Sequence, residues 1–205
     1  GPHCRFLYKS AILAFLTGKS AILQFCSKET TRLLASIDVS LFDNDGNDCE
    51  SQDWNGIRFI THLMLFLDSL QDSSAPIILD GVGEQKNKIL FVYVQYLESR
   101  PDLWNMMTLY VSFLPEANIE EYFPSFLVKI SDNSERKKVT EQIREFIPSL
   151  QLSLLRRVVR LSLSASSGSV LGGSDRVMDK IKCDSLQWLL HLSLIHISEP
   201  TRRSA

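Results

Sequence analysis

Apolar residues recur at intervals of three and four along most of this chain. The clearest instance is residues 57–70, IRFITHLMLFLDSL. One stripe is Ile57, Ile60, Met64 and Leu67; a second is Phe59, Leu63, Phe66 and Leu70. Such spacing places each stripe on one helical face. Together the stripes exceed the ~100° apolar arc of an ordinary surface helix. Arg58, Thr61, His62, Asp68 and Ser69 share the remaining strip with Leu65. The pattern predicts a helix buried on two sides between neighbours, which a charge at Leu63 or Leu67 is expected to unfold.

The same period predicts helices elsewhere. Residues 5–17 read as one, with Gly18 as its stop and Ser20 capping the next, which runs to about residue 36. The two form a helical hairpin with a tight connection. Residues 88–99 are helical and stop before Pro101; residues 102–114 form the next helix, closed by Pro115. Asn118 and Glu121 fit a capping box opening another, in which Pro124 is expected to produce a kink or break. Residues 134–147 are highly charged, with a narrow stripe of Val139, Ile143 and Phe146, as in an outer helix. Residues 149–163 are leucine-rich and helical, and residues 174–190 close the set. The acidic stretch 43–53 and residues 71–85 read as loops, and the serine- and glycine-rich residues 164–173 as a flexible linker.

About nine helices and no convincing strand result, well above the usual third of residues in helix. The fold class expected is all-α, an irregular α-helical solenoid of stacked antiparallel helices. No fixed-period repeat is present, which argues against a regular tetratricopeptide or ankyrin array.

Composition changes this picture little. The 205 residues are 44% hydrophobic and 22% charged, ordinary for a folded domain. The net charge of −2 argues against a general nucleic-acid binder. Cys4, Cys26, Cys49 and Cys183 lie far apart with no CxxC pair, so scattered reduced thiols are expected rather than zinc or a disulfide framework. No uncharged apolar run reaches ~18 residues, so no membrane span is expected. No signal peptide is read, and with Met64 the first methionine the start is expected to be truncated.

Candidate chemistry is sparse. Gly18, Lys19 and Ser20 resemble the end of a phosphate-binding loop, and a nucleotide-binding regulator using Lys19 and Ser20 is the competing class. Leu13 stands where that loop needs its first glycine, and a helix precedes it instead of a strand. Asp43, Asp45 and Gly46 suggest a calcium loop. Aligning its glycine on Gly46, however, puts Leu41 and Gln52 at two carboxylate positions. Glu120, Glu121, Glu135, Glu141 and Glu145, near Arg136, Lys137, Lys138 and Arg144, read as surface salt bridging. His62 reads as a buried or rim histidine with a hydrogen bond. Arg156, Arg157 and Arg160 form a small basic cluster, read as a solvated helix face that could meet an acidic partner. No catalytic, cofactor-binding or metal-ligating residue is nominated, and no enzyme or cofactor is expected.

Four stretches, in order, resemble the nucleoporin-107 (nucleoporin-84) family. RFITHLMLFLDSL (residues 58–70), ILFVYVQYLESR (89–100) and LYVSFLPEANIEEYFPSFLVKI (109–130) resemble successive helices. MDKIKCDSLQWL (178–189) is similar to a later run of the family, with Lys182 and Cys183 intervening between Ile181 and Asp184. The resemblance implies an α-solenoid over residues 4–190 that acts as a scaffold of the nuclear pore Y complex. It implies support of nucleocytoplasmic transport and mRNA export at the nuclear envelope. The implied partners are a nucleoporin-96 class subunit on the N-terminal side and a nucleoporin-133 class subunit on the C-terminal side. No direct nucleic-acid contact is implied. A vesicle-coat or cargo-binding solenoid is the alternative. Residues 193–202, SLIHISEPTR, resemble a translated sequencing-adapter tail, so residues 193–205 are expected to be non-native or a disordered tail.

Overall fold

The computed structural model describes residues 2–36, 53–69, 82–167, 187, 188 and 190. These residues carry eight α-helices, two short 3-10 turns and no strand. The fold class is therefore all-α, as the periodicity predicts. Backbone packing divides the chain into two compact units, Gly1–Pro101 and Asp102–Ala205.

The first unit holds α1 (Pro2–Thr17), α2 (Lys19–Ala35), α3 (Trp54–Ser69) and α4 (Val82–Glu98). Gly18 alone joins α1 to α2, at φ 123° and ψ 175°. That backbone conformation is nearly restricted to glycine. The cap expected at Ser20 does not form: Gly18 occupies the cap position, and Ser20 lies inside the first turn of α2. A glycine can reverse the chain in one residue, so no separate capping side chain is needed. The reversed helices pack on each other, and α2 then packs on both α3 and α4.

Asp53 opens α3, its Oδ1 accepting from the Gly56 amide at 2.9 Å. At that end Trp54 stacks on Tyr96 of α4, with centroids 4.4 Å apart. At the other end Lys86 donates to Asp68 at 2.8 Å. The two helices are thus antiparallel. Ile57, Ile60 and Met64 are buried, and Leu67 is half-buried. The second stripe departs from expectation: Phe59 and Leu63 are half-buried, and Phe66 is 51% exposed. The cover on that side comes from Tyr8 of α1, edge-on to Phe59 at 4.4 Å and itself half exposed. The stripe lies along the rim of a helix contact, so α3 is buried on one side only. Leu70 lies outside the described residues.

Helix α4 starts at Val82 instead of residue 88. Its first turns are polar and show no apolar period, but Glu84 and Lys88 pair across one turn at 2.6 Å.

The second unit contains α5 (Trp104–Val111), α6 (Glu116–Lys129), α7 (Asn133–Phe146) and α8 (Gln151–Ser167). Here alternate helices stack, α5 on α7 and α6 on α8, while α7 also meets α8. Stacking of alternate helices is how α-solenoids bury a continuous core. Phe123 and Phe126 of α6 stack at 5.8 Å, and Trp104 meets Phe126 edge-on at 5.3 Å.

Helix α6 corrects two expectations. It begins at Glu116 after Pro115, with no side-chain cap, so Asn118 sits in the first turn instead of heading a capping box. It also continues through Pro124, so the break expected there does not occur. An interior proline costs about 3 kcal/mol in an isolated helix. Here Pro124 is buried beside Ile119, Phe123, Phe126 and Leu127, and that packing outweighs the lost amide bond.

Helix α8 extends through Ser164 to Ser167, into the stretch expected to be a linker. Ser164 bonds the Leu161 carbonyl at 3.0 Å, a local contact that a helix accommodates. The rest of that stretch, the loop over 71–81, most of the acidic loop, residues 174–186 and the tail lie outside the described residues.

Candidate functional site

Helix α7 positions the least expected side chain. Its N-cap is Asp132, whose side chain accepts from the Glu135 amide at 2.9 Å. One turn on, Arg136 points inward and is completely buried. Its Nε donates to the Ile130 carbonyl at 2.8 Å, its Nη1 donates to Gln187, and its guanidinium lies over the Trp188 ring at 5.4 Å. Thr140 is also buried and donates back to the Arg136 carbonyl at 2.8 Å. Arg136 is therefore enclosed instead of lying on the exposed face expected of it. Its planar fork has found a carbonyl, an amide and an indole, a combination that suits guanidinium better than ammonium. The site binds Gln187 and Trp188 to α7.

The glutamates split. Glu135 pairs with Lys138 at 2.8 Å on the surface; that bond and its charge raise the Lys138 pKa. Glu121, Glu141 and Glu145 are exposed and make no ion pair among the described residues. Glu120 instead accepts from the Ser153 hydroxyl at 2.7 Å, bridging α6 to α8. Lys88 donates to Glu84, and the bond and its positive charge lower that carboxyl's pKa.

His62 is an exposed rim residue, as expected. Its Nδ1 donates to the Arg58 carbonyl at 2.6 Å, and its ring sits edge-on to Tyr93. Gly18 joins two helices and residues 19 and 20 open α2, with no preceding strand, so the three lack the frame of a phosphate loop. Asp43, Asp45 and Gly46 lie outside the described residues. Among the described residues, no three His, Cys, Asp or Glu side chains gather as a metal site requires. No helix there is long and apolar enough to cross a membrane. Cys26 is a buried free thiol whose pKa burial pushes up to about 12, so it is inert as a nucleophile near neutral pH.

The basic cluster has a setting that its sequence spacing did not reveal. Arg156, Arg157 and Arg160 project from α8 along a groove of about 550 Å³. Glu120 of α6 and Ser153, Leu154, Leu161 and Ser164 of α8 complete the lining. All three arginines are exposed, and none has an ion-pair partner among the described residues. Leu154 is buried at the base. Recognising the groove needs Glu120 placed beside a helix more than thirty residues later, which no local pattern encodes.

The family model described as nuclear pore protein 84 / 107 matches residues 22–196. No curated protein and no solved structure matches the chain at a significant level.

Proposed function

Because the chain belongs to the nuclear pore protein 84 / 107 family, whose members are scaffold components of the nuclear pore complex, we propose that it serves in the Y complex by holding other subunits. The match over residues 22–196 carries this reading. Residues 4–190 are the solenoid fragment in this reading, and residues 193–205 are not counted as part of it. Stacked apolar faces hold each unit together, and surfaces and ends meet neighbours. A nucleoporin-96 class subunit lies to the N-terminal side and a nucleoporin-133 class subunit to the C-terminal side. Through these contacts the protein supports nucleocytoplasmic transport and mRNA export. It performs no catalytic step. The alternate stacking of α5 on α7 and α6 on α8 supports the reading, since α-solenoids that serve protein contacts are stacked from helix pairs.

Affinity isolation of the tagged full-length parent protein from nuclear extract tests this. Y-complex subunits are expected in the eluate. Recovery of vesicle-coat or cargo-adaptor subunits in their place overturns it.

A further inference from the structure

We propose that the groove between α6 and α8 is a docking site for an acidic amphipathic helix of a partner protein. Four observations converge on it. First, α8 carries Arg156, Arg157 and Arg160 and no acidic residue, within a chain of net charge −2. Second, Lys86, Lys88, Lys138 and Arg32 each have a carboxylate within their own or a neighbouring helix, whereas these three arginines have none among the described residues. Third, the arginines border a groove instead of standing on a convex face. Fourth, the half-buried Leu161 gives that groove apolar surface for an amphipathic ligand to cover.

Dimensions favour a helix. The lining runs from Ser153 to Ser164 along α8, a length of about 17 Å, or roughly three helical turns. Arg156 and Arg160 are one turn apart, about 6 Å, which matches carboxylates three or four residues apart on a facing helix. Each guanidinium presents a planar fork that can bind a carboxylate with two parallel hydrogen bonds. Nucleic acid fits less well. No aromatic side chain among the described residues lines the groove for base stacking. The Glu120 carboxylate, tied to the Ser153 hydroxyl at 2.7 Å, is placed to accept from a donor on the incoming helix, giving the groove polarity as well as charge. The proposal rests on the scaffold reading only in taking a protein as occupant, and its test does not depend on recovering Y-complex subunits.

Fluorescence anisotropy on the full 205-residue chain tests it. The probe is a short labelled peptide with glutamates and leucines at helical spacing. Its lysine-for-glutamate counterpart, labelled oligouridylate and phosphatidylserine vesicles are the comparisons. The acidic peptide is expected to bind, more weakly as salt rises, and the lysine counterpart not to bind. Joint substitution Arg156→Gln and Arg160→Gln should weaken binding about tenfold, with the helical circular-dichroism melt unchanged because both residues are exposed. Arg157→Gln provides an independent variant and should also weaken binding. Failure of the peptide to bind, or equal affinity in all variants, overturns the proposal. Tighter binding of oligouridylate or of the vesicles than of the peptide also overturns it.

Discussion

Helices α3 and α7 reverse the usual relation between polarity and burial. Helix α3 has two apolar stripes, yet Phe66 stands half exposed. Helix α7 has charged residues at half its positions, yet Arg136 is wholly enclosed. The difference lies in the neighbours. Beside the second stripe of α3 the nearest cover is Tyr8, on the rim of α1. Beside Arg136 stand an open carbonyl at Ile130, the amide of Gln187 and the indole of Trp188. A polar side chain that finds every partner can be buried at modest net cost, and an apolar one with no facing helix stays wet.

The sharpest way to break this comparison is to place a charge on each stripe of α3. Ile60→Asp, at a fully enclosed position, is expected to cost more than about 4 kcal/mol and to abolish the cooperative urea transition. Leu63→Asp, on the half-covered stripe, should cost only about 1–2 kcal/mol and leave a folded protein. Equal losses at the two sites would restore a helix buried on both sides.

Arg136→Ala should come next, at about 3 kcal/mol, because it strands the Ile130 carbonyl and Gln187 and opens a cavity beneath Trp188. Arg136→Met, which keeps most of the volume, should recover part of that loss, and Trp188 fluorescence should report the shift in packing. The buried Cys26 gives a pH-dependent term. Its folded pKa, about 12, lies above the ordinary value of 9.0. The stabilisation is therefore complete below pH 9 and is lost as the pH rises towards 12. Subtracting the stability profile of Cys26→Ala from that of the parent chain should isolate this decline from the titration of lysines and tyrosines. The smallest effect belongs to Leu16→Lys. Leu16 is 78% exposed on α1, and the melting curve should change by no more than about 0.5 kcal/mol.

The existence of the helices was legible because the apolar period of three and four persists through each of them. Boundaries were legible only where a residue type forces them. Pro101 and Pro115 punctuate the chain where expected, whereas the start of α4 hides in the polar run around Glu84 and Lys88. A break at Pro124 follows from its local penalty alone, and the aromatic packing of Phe123 and Phe126, which keeps the helix continuous, is not written beside it in the sequence. The end of α8 misled because serine, which usually marks a loop, can satisfy its hydroxyl on the preceding turn, as Ser164 does. Of the candidate docking site, the arginines were visible and the groove was not. The charge sits in one short segment, but the concavity needs α6 and α8 together. Arg136 was invisible for the same reason: its partners at Gln187 and Trp188 are about fifty residues away.

Gly18 has a mechanical consequence. A joint of one residue leaves the seating of α1 on α2 to a single pair of dihedrals, held at a backbone angle that other amino acids resist. A side chain at position 18 would meet no atom within 4 Å, so the obstacle to replacing Gly18 is the backbone angle itself, and a residue that left that angle would swing the whole of α1.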